Sequence, residues 1–215
     1  NIYKDMTKIN PNSNEALIVV DIQNDFCEGG ALEVPDASKI IDKSNKLINI
    51  FDQVILTQDW HPYNHISFAS QHKGKKPFDI IEVDYGKQTL WPEHCIQGTY
   101  GADFHRNLIT KAAKLIIRKG YNKNIDSYSA FFENDKYTCT GLKGYINEKK
   151  INKVYFLGLA LDVCVKDSAL DSKNSGLDTY VFEDLCKGLS KQSSDNAIDL
   201  MNKSKIKIID SNKFI

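Results

Sequence analysis

Four ionisable side chains stand where short apolar runs end. Asp21 closes Ala16-Leu-Ile-Val-Val, Asp59 follows Val54-Ile-Leu-Thr57, Lys119 follows Lys114-Leu-Ile-Ile-Arg118, and Cys164 lies just past Val154-Tyr-Phe-Leu-Gly158. A charged group at the end of a buried strand is costly unless it is paired. Bringing Asp21, Lys119 and Cys164 together resolves that cost for all three. The ammonium offsets the carboxylate and favours thiolate, and the carboxylate takes the thiol proton and returns it to a leaving group. This is the chemistry of a cysteine hydrolase acting on an amide. Within Gly158-Leu-Ala-Leu-Asp-Val-Cys164-Val165 the thiol is predicted on the first turn of a helix. Unpaired N–H groups there favour thiolate and can hold a developing oxyanion. Taken singly, each residue has an ordinary reading: Cys164 as a small buried hydrophobe, Asp21 as a turn or cap acceptor, Lys119 as a solvated strand end. Cys27, Cys95, Cys139 and Cys186 have no such partners and read as packing residues.

A second constellation is Asp59-Trp-His61 with His94 in Trp91-Pro-Glu-His94-Cys95. Residues two apart in an extended segment point the same way, so Asp59 and His61 can be adjacent metal ligands with His94 as the third. Two histidines and a carboxylate leave open positions on Zn²⁺, Mn²⁺ or Fe²⁺. The competing reading is ordinary surface histidines. A non-heme iron oxygenase uses the same ligand types, but its usual all-β scaffold conflicts with the pattern below and it has no need of Cys164.

Positioning these groups takes a set of strands ending on one edge. Besides the four runs above, Thr179-Tyr-Val-Phe182 and Lys205-Ile-Lys-Ile-Ile209 read as strands. Most are continuously apolar, as in a parallel sheet covered on both faces. Helical patterns alternate with them over Ser38–Phe51, with Asp36 or Ser38 as N-cap, over Val163–Ser172 and over Ser194–Lys203. The alternation predicts one α/β doubly wound domain over residues 1–215, with a ligand crevice at the carboxyl ends of the strands. Residues 58–112 interrupt the rhythm as a long, mostly irregular insertion containing all five histidines, His61, His65, His72, His94 and His105. An insertion of that length, holding Trp60, Trp91, Pro62 and Pro92, reads as functional and ordered.

Composition narrows the partners. The 215 residues carry 28 Lys plus Arg against 28 Asp plus Glu, so the basic excess that marks a nucleic-acid partner is missing. Five dispersed cysteines without a C-x-x-C read as reduced thiols. No apolar run reaches the roughly 18 residues of a membrane span, and Asn1-Ile-Tyr-Lys-Asp5 lacks a signal-peptide core, so the cytoplasm is the expected location. No glycine-rich phosphate loop follows any strand, which ranks a nucleotide-binding module last.

The segments together resemble the isochorismatase-like cysteine hydrolases, the nicotinamidase branch in particular. The resemblance runs through Val20-Asp-Ile-Gln-Asn-Asp-Phe26, Thr57-Gln-Asp-Trp-His-Pro62 with His65 and Ser67-Phe-Ala, and Leu90-Trp-Pro-Glu-His-Cys95. It continues through Gln97-Gly-Thr, Gly101-Ala-Asp-Phe-His105, Arg118-Lys-Gly120, Asp126-Ser-Tyr-Ser-Ala-Phe131 and Gly158-Leu-Ala-Leu-Asp-Val-Cys-Val165. It implies a three-layer α/β/α fold around a six-stranded parallel sheet of order 3-2-1-4-5-6. It also implies a triad of Asp21, Lys119 and Cys164, and one divalent metal, zinc before manganese or iron, on Asp59, His61 and His94. Phe26 and Trp91 would sandwich a pyridine ring, with Tyr128 and Leu161 nearby. The Ala160 and Cys164 N–H groups would form the oxyanion hole, beside a cis peptide between Leu159 and Ala160. His65 reads as structural. The implied reaction converts nicotinamide to nicotinic acid and ammonia through a thioester, with pyrazinamide as a second substrate. Other branches act on isochorismate, N-carbamoyl or ureido compounds; isochorismatases proper lack the nucleophilic cysteine, and the remaining branches generally lack the Asp-x-His…His set. The polar stretch from Lys73 to Lys87 has no shape that these motifs specify.

Overall fold

Aliphatic and aromatic residues centre the runs at Glu15–Val20 (β1), Gln53–Asp59 (β2), Leu115–Lys119 (β5), Lys153–Leu159 (β6), Asp178–Lys187 (β7) and Lys207–Ile209 (β8). In the computed structural model, which describes residues 8–215, these six form one sheet in the order β5-β2-β1-β6-β7-β8, every pair parallel. Numbered among themselves the six strands run 3-2-1-4-5-6, as expected. The stretch Asn1–Asp5 discussed above lies outside the described residues.

Side chains alternate across the sheet. On β1, Leu17 and Val19 join one core with Ile41, Leu47 and Ile48 of α1 (Ile41–Ile48). Ala16, Ile18 and Val20 join the other core. There they pack with Leu142 and Ile146 of α2 (Leu142–Glu148), Ala169 of α3 (Lys166–Asn174), and Ala197 and Met201 of α4 (Lys191–Lys203). Both faces are covered at the centre of the sheet, which is why β1, β2 and β6 are buried almost end to end, whereas the edge strand β5 alternates between exposed and buried side chains. At Gly158 on β6 the backbone has φ +126°, and a Cβ there would stand 2.2 Å from the Val20 carbonyl oxygen of β1. Only glycine lets the two strands close on each other at the switch point beside the site.

Several boundaries differ from the sequence reading. The segment from Ser38 begins as a 3₁₀ turn, Ala37–Ile40, and becomes α-helical only at Ile41. Asp36 adopts φ 60° and makes no capping bond; its carboxylate meets Lys39 at 2.8 Å instead. The pattern at Val163–Ser172 opens as a π-helical turn, Leu161–Val165, before α3. α4 starts at Lys191, capped by Ser190, whose side chain accepts from the Ser193 N–H. The insertion carries an antiparallel hairpin of Ile80–Val83 (β3) and Gly86–Thr89 (β4), which no motif had indicated. No helix among the described residues is long and apolar enough to cross a membrane.

Candidate active site

The carboxyl ends of β1, β2, β5 and β6 deliver their side chains to one point. Lys119 is fully buried, and its Nζ lies 2.8 Å from Asp21 Oδ2, 3.2 Å from Cys164 Sγ and 3.2 Å from the Ser127 carbonyl oxygen. It also donates to Asp59 Oδ1. Asp21 follows β1 with φ 48° and accepts from Thr57 Oγ1 at 2.6 Å through Oδ1. Its Oδ2 accepts no directed hydrogen bond, since the nearby ammonium lies off the angle for one, so that oxygen keeps room for a proton. Oxygens of Asp21 and Asp59 and the Cys164 sulfur all lie within 4.8 Å of one another.

Charge at this point is unbalanced. Two buried carboxylates share one ammonium. Burial works against the Lys119 charge, but Asp21 and Asp59 prevail and hold its pKa well above the usual value. For Asp21 burial is the largest influence and outweighs Lys119, so its pKa is raised. Asp59 is held well below the carboxylate range, because Lys119, His61 and His94 together overcome its burial. Burial also pushes the Cys164 thiol well up, with Lys119 only partly opposing it. Burial thus works against the thiolate that Lys119 favours, and Asp21 is the carboxylate placed to take the thiol proton.

Cys164 sits on the π-helical turn, where Val163 N–H and Val165 N–H both donate to the Ala160 carbonyl at 3.1 Å. Such turns recur at functional sites. The peptide between Leu159 and Ala160 is cis. Ala160 and Cys164 both border the adjoining cavity, so an oxygen entering there comes beside this turn.

The Asp59–His61–His94 set is assembled beside the triad. Asp59 Oδ2 stands 3.5 Å from His61 Nε2 and 3.7 Å from His94 Nε2. His61 Nδ1 donates to the Gly120 carbonyl and His94 Nδ1 to the Pro92 carbonyl, each at 2.7 Å. Those bonds select the tautomer and leave both Nε2 lone pairs facing the carboxylate. A cation there would also offset the negative charge that Lys119 leaves uncompensated, so these residues fit a divalent metal. Two other groups bring three ligand atoms equally close, Asp21–Asp59–Cys164 and His61–His65–Asp126. Lys119 fills the first, and His65 is spent in the second. His65 Nδ1 accepts from Ser67 Oγ at 2.7 Å and its Nε2 donates to the Ile125 carbonyl at 3.1 Å. Burial lowers its pKa to about 4, so it stays neutral and structural.

A small cavity opens on Cys164, Asp59, His61 and His94, walled by Phe26, Trp91, Tyr128, Val163 and Leu189. Trp91 Nε1 donates to Tyr128 Oη at 3.2 Å, fixing one wall. Asp21 and Lys119 lie behind the cavity surface. Leu161 does not line it. Its side chain packs into the core shared with α2, α3 and α4, because the π-helical turn directs Val163 and Cys164, not Leu161, to the opening.

Motif reading missed several supports. Gln23 accepts from the Asp59 N–H and donates to the Asp59 carbonyl, both at 2.9 Å, clamping the backbone of the residue that serves both clusters. Asp25 Oδ2 accepts from the Cys95 N–H at 2.7 Å and so fixes the loop after His94. Gln88, on the hairpin, donates to Asp126 Oδ2 at 3.1 Å and Tyr128 Oη at 3.0 Å. Gln23 and Asp25 stood inside a recognised stretch; nothing in the sequence marked Gln88 or Leu189.

The Isochorismatase domain family matches residues 15–213. The chain belongs to that family. Among isochorismatase-family relatives, the nicotinamidase of Acinetobacter baylyi is 53% identical over 182 residues, covering 85% of this chain and 85% of that protein. The solved nicotinamidase/pyrazinamidase of Acinetobacter baumanii superposes with a TM-score of 0.93 at 51% identity, covering 95% of this chain and 99% of that one. The pyrazinamidase of Pyrococcus horikoshii, solved in complex with zinc, gives a TM-score of 0.76 at 36% identity, covering 92% and 99%.

Proposed function

We propose that this family member is a cytoplasmic nicotinamidase, hydrolysing nicotinamide to nicotinic acid and ammonia in the salvage of NAD, and accepting pyrazinamide as a second substrate. The observation that carries the reading is the meeting, in one cavity, of Cys164, Lys119 and Asp21 with the two-histidine, one-carboxylate set. The high identity to relatives named nicotinamidase supports the same substrate.

Asp59, His61 and His94 would hold the metal, zinc before manganese or iron, as the zinc in the Pyrococcus horikoshii pyrazinamidase supports. When bound, the ion supplies a Lewis-acidic anchor for the pyridine nitrogen. Phe26 and Trp91 wall the ring, and Tyr128 closes the side behind Trp91. With the ring held, the carboxamide carbon faces Cys164. Asp21 accepts the thiol proton as sulfur attacks, and the Ala160 and Cys164 N–H groups receive the oxygen that gains charge. Asp21 returns the proton to nitrogen, the carbon–nitrogen bond breaks, and ammonia leaves a thioester on Cys164. Asp21 then takes a proton from water, the hydroxide displaces sulfur, and that proton restores the thiol as nicotinic acid departs. Lys119 keeps Asp21 and the sulfur in contact and balances the charge that moves between them.

Ammonia release from nicotinamide by wild type and Cys164→Ala, with metal content measured on the same samples, tests the reading. Wild type should turn over, and Cys164→Ala should bind nicotinamide without releasing ammonia. Near-normal release by the variant would overturn the mechanism.

A further inference from the structure

Asp162 is a buried carboxylate two residues before Cys164, on the same π-helical turn, and no step above uses it. Lys166, four residues on, pairs with Asp167 at 3.5 Å, and Asp162 makes no ion pair among the described residues, although a buried anion usually has a counter-ion. Hydrogen bonds take the place of one. Its two oxygens accept from the Leu189 N–H at 3.1 and 3.2 Å, and Oδ2 accepts from Ser193 Oγ. Ser190 and Ser193 hydroxyls are 2.6 Å apart, and each has one proton to give. With Ser193 committed to Asp162, Ser190 donates to Ser193. The chain of bonds therefore runs from the cap of α4, through two hydroxyls, into the turn that carries the sulfur.

Both ends of this brace border the cavity. Leu189 forms part of its wall, and Val163 and Cys164, the next two residues after Asp162, form another. The sign of the charge is informative. A carboxylate near a thiol opposes thiolate formation, so an anion here has no electrostatic use for the nucleophile. Its value lies in where its bonds hold the backbone.

We propose that Asp162 is a positioning residue: by tying the nucleophile turn to Leu189 and the start of α4, it sets the placement of Cys164 Sγ and the turn's N–H groups against the substrate carbon. The inference rests on Cys164 being the nucleophile. It distinguishes bonds from charge, because asparagine at this position keeps an oxygen for the Leu189 N–H and can donate to Ser193 Oγ, while losing the charge.

The test is steady-state nicotinamide hydrolysis by wild type, Asp162→Ala, Asp162→Asn and Ser193→Ala, each assayed below its own melting temperature. A nucleophile misplaced by an ångström loses rate more than binding, so Asp162→Ala should lower kcat about 100-fold with KM within about threefold. Asp162→Asn should recover to within about fivefold of wild-type kcat, and Ser193→Ala should lower kcat about fivefold. Asp162→Ala with kcat within about twofold of wild type overturns the proposal, and so does Asp162→Asn falling as far as Asp162→Ala. Should Asp162→Ala not fold, Ser193→Ala with unchanged kcat overturns it. An inactive wild type, or an active Cys164→Ala, would instead overturn the reading of the site itself.

Discussion

Lys119 meets two carboxylates, a thiol and a main-chain carbonyl with one ammonium, and the next residue completes the neighbouring cluster. Gly120 has φ +67°, its carbonyl holds His61 Nδ1, and a Cβ on it would lie 2.4 Å from His61 Cε1. Gly120→Ala must therefore push the imidazole aside while straining the backbone. Its affinity for zinc, measured against a competing chelator, should fall about 10- to 100-fold, with KM rising more than kcat falls. Asp21, Asp59, Lys119 and Cys164 were legible in the sequence because a polar residue ending an apolar run needs a reason to be there. The upward pull of burial on the thiol was not legible, because it depends on how completely Lys119, Asp21 and Cys164 are enclosed, and enclosure is a property of the folded chain. Leu161, expected near the substrate, packs into the core, because neighbours on a turn face different sides and a π-helical turn shifts which ones.

The strands were readable because burial on both faces leaves them almost wholly apolar, as in β1 and β6. The β3–β4 hairpin was not. Its strands have four residues each and are half exposed, and its key inward side chain, Gln88, is polar. α2 was equally silent, since only Leu142 and Ile146 are buried on it. Yet the hairpin reaches the pocket: Gln88 is fully buried and joins Asp126 to Tyr128. Gln88→Ala takes from Asp126 Oδ2 its donor and from Tyr128 Oη one of two, Trp91 Nε1 being the other, which costs about 1–3 kcal/mol for a group removed from water. It should raise KM for nicotinamide about three- to tenfold with kcat nearly unchanged, because the wall loosens while the sulfur and its base stay put. Steady-state kinetics together with urea unfolding would check both parts.

One sheet with helices on both sides leaves its carboxyl edge to be covered by the segment between β2 and β5, and the stability of that cover depends on pH. His65 has an ordinary pKa of 6.5 and is lowered to about 4 by burial. Between these values the unfolded chain takes a proton that the folded chain refuses, so its contribution to stability is full above pH 6.5 and is lost as pH falls. From pH 7 to pH 5 that loss is about 2 kcal/mol, and a His65→Gln variant should lack this part of the slope in urea unfolding. The two tryptophans of the chain are divided in a useful way. Trp60 lies under the Arg118 guanidinium, 3.7 Å from ring centroid to charge, whereas Trp91 stands on the wall where the substrate ring would rest. In a Trp60→Phe, Cys164→Ala background the remaining indole emission comes from the pocket alone. Nicotinamide should quench it in a saturable titration, so the protein carries its own optical gauge of occupancy, readable without any turnover.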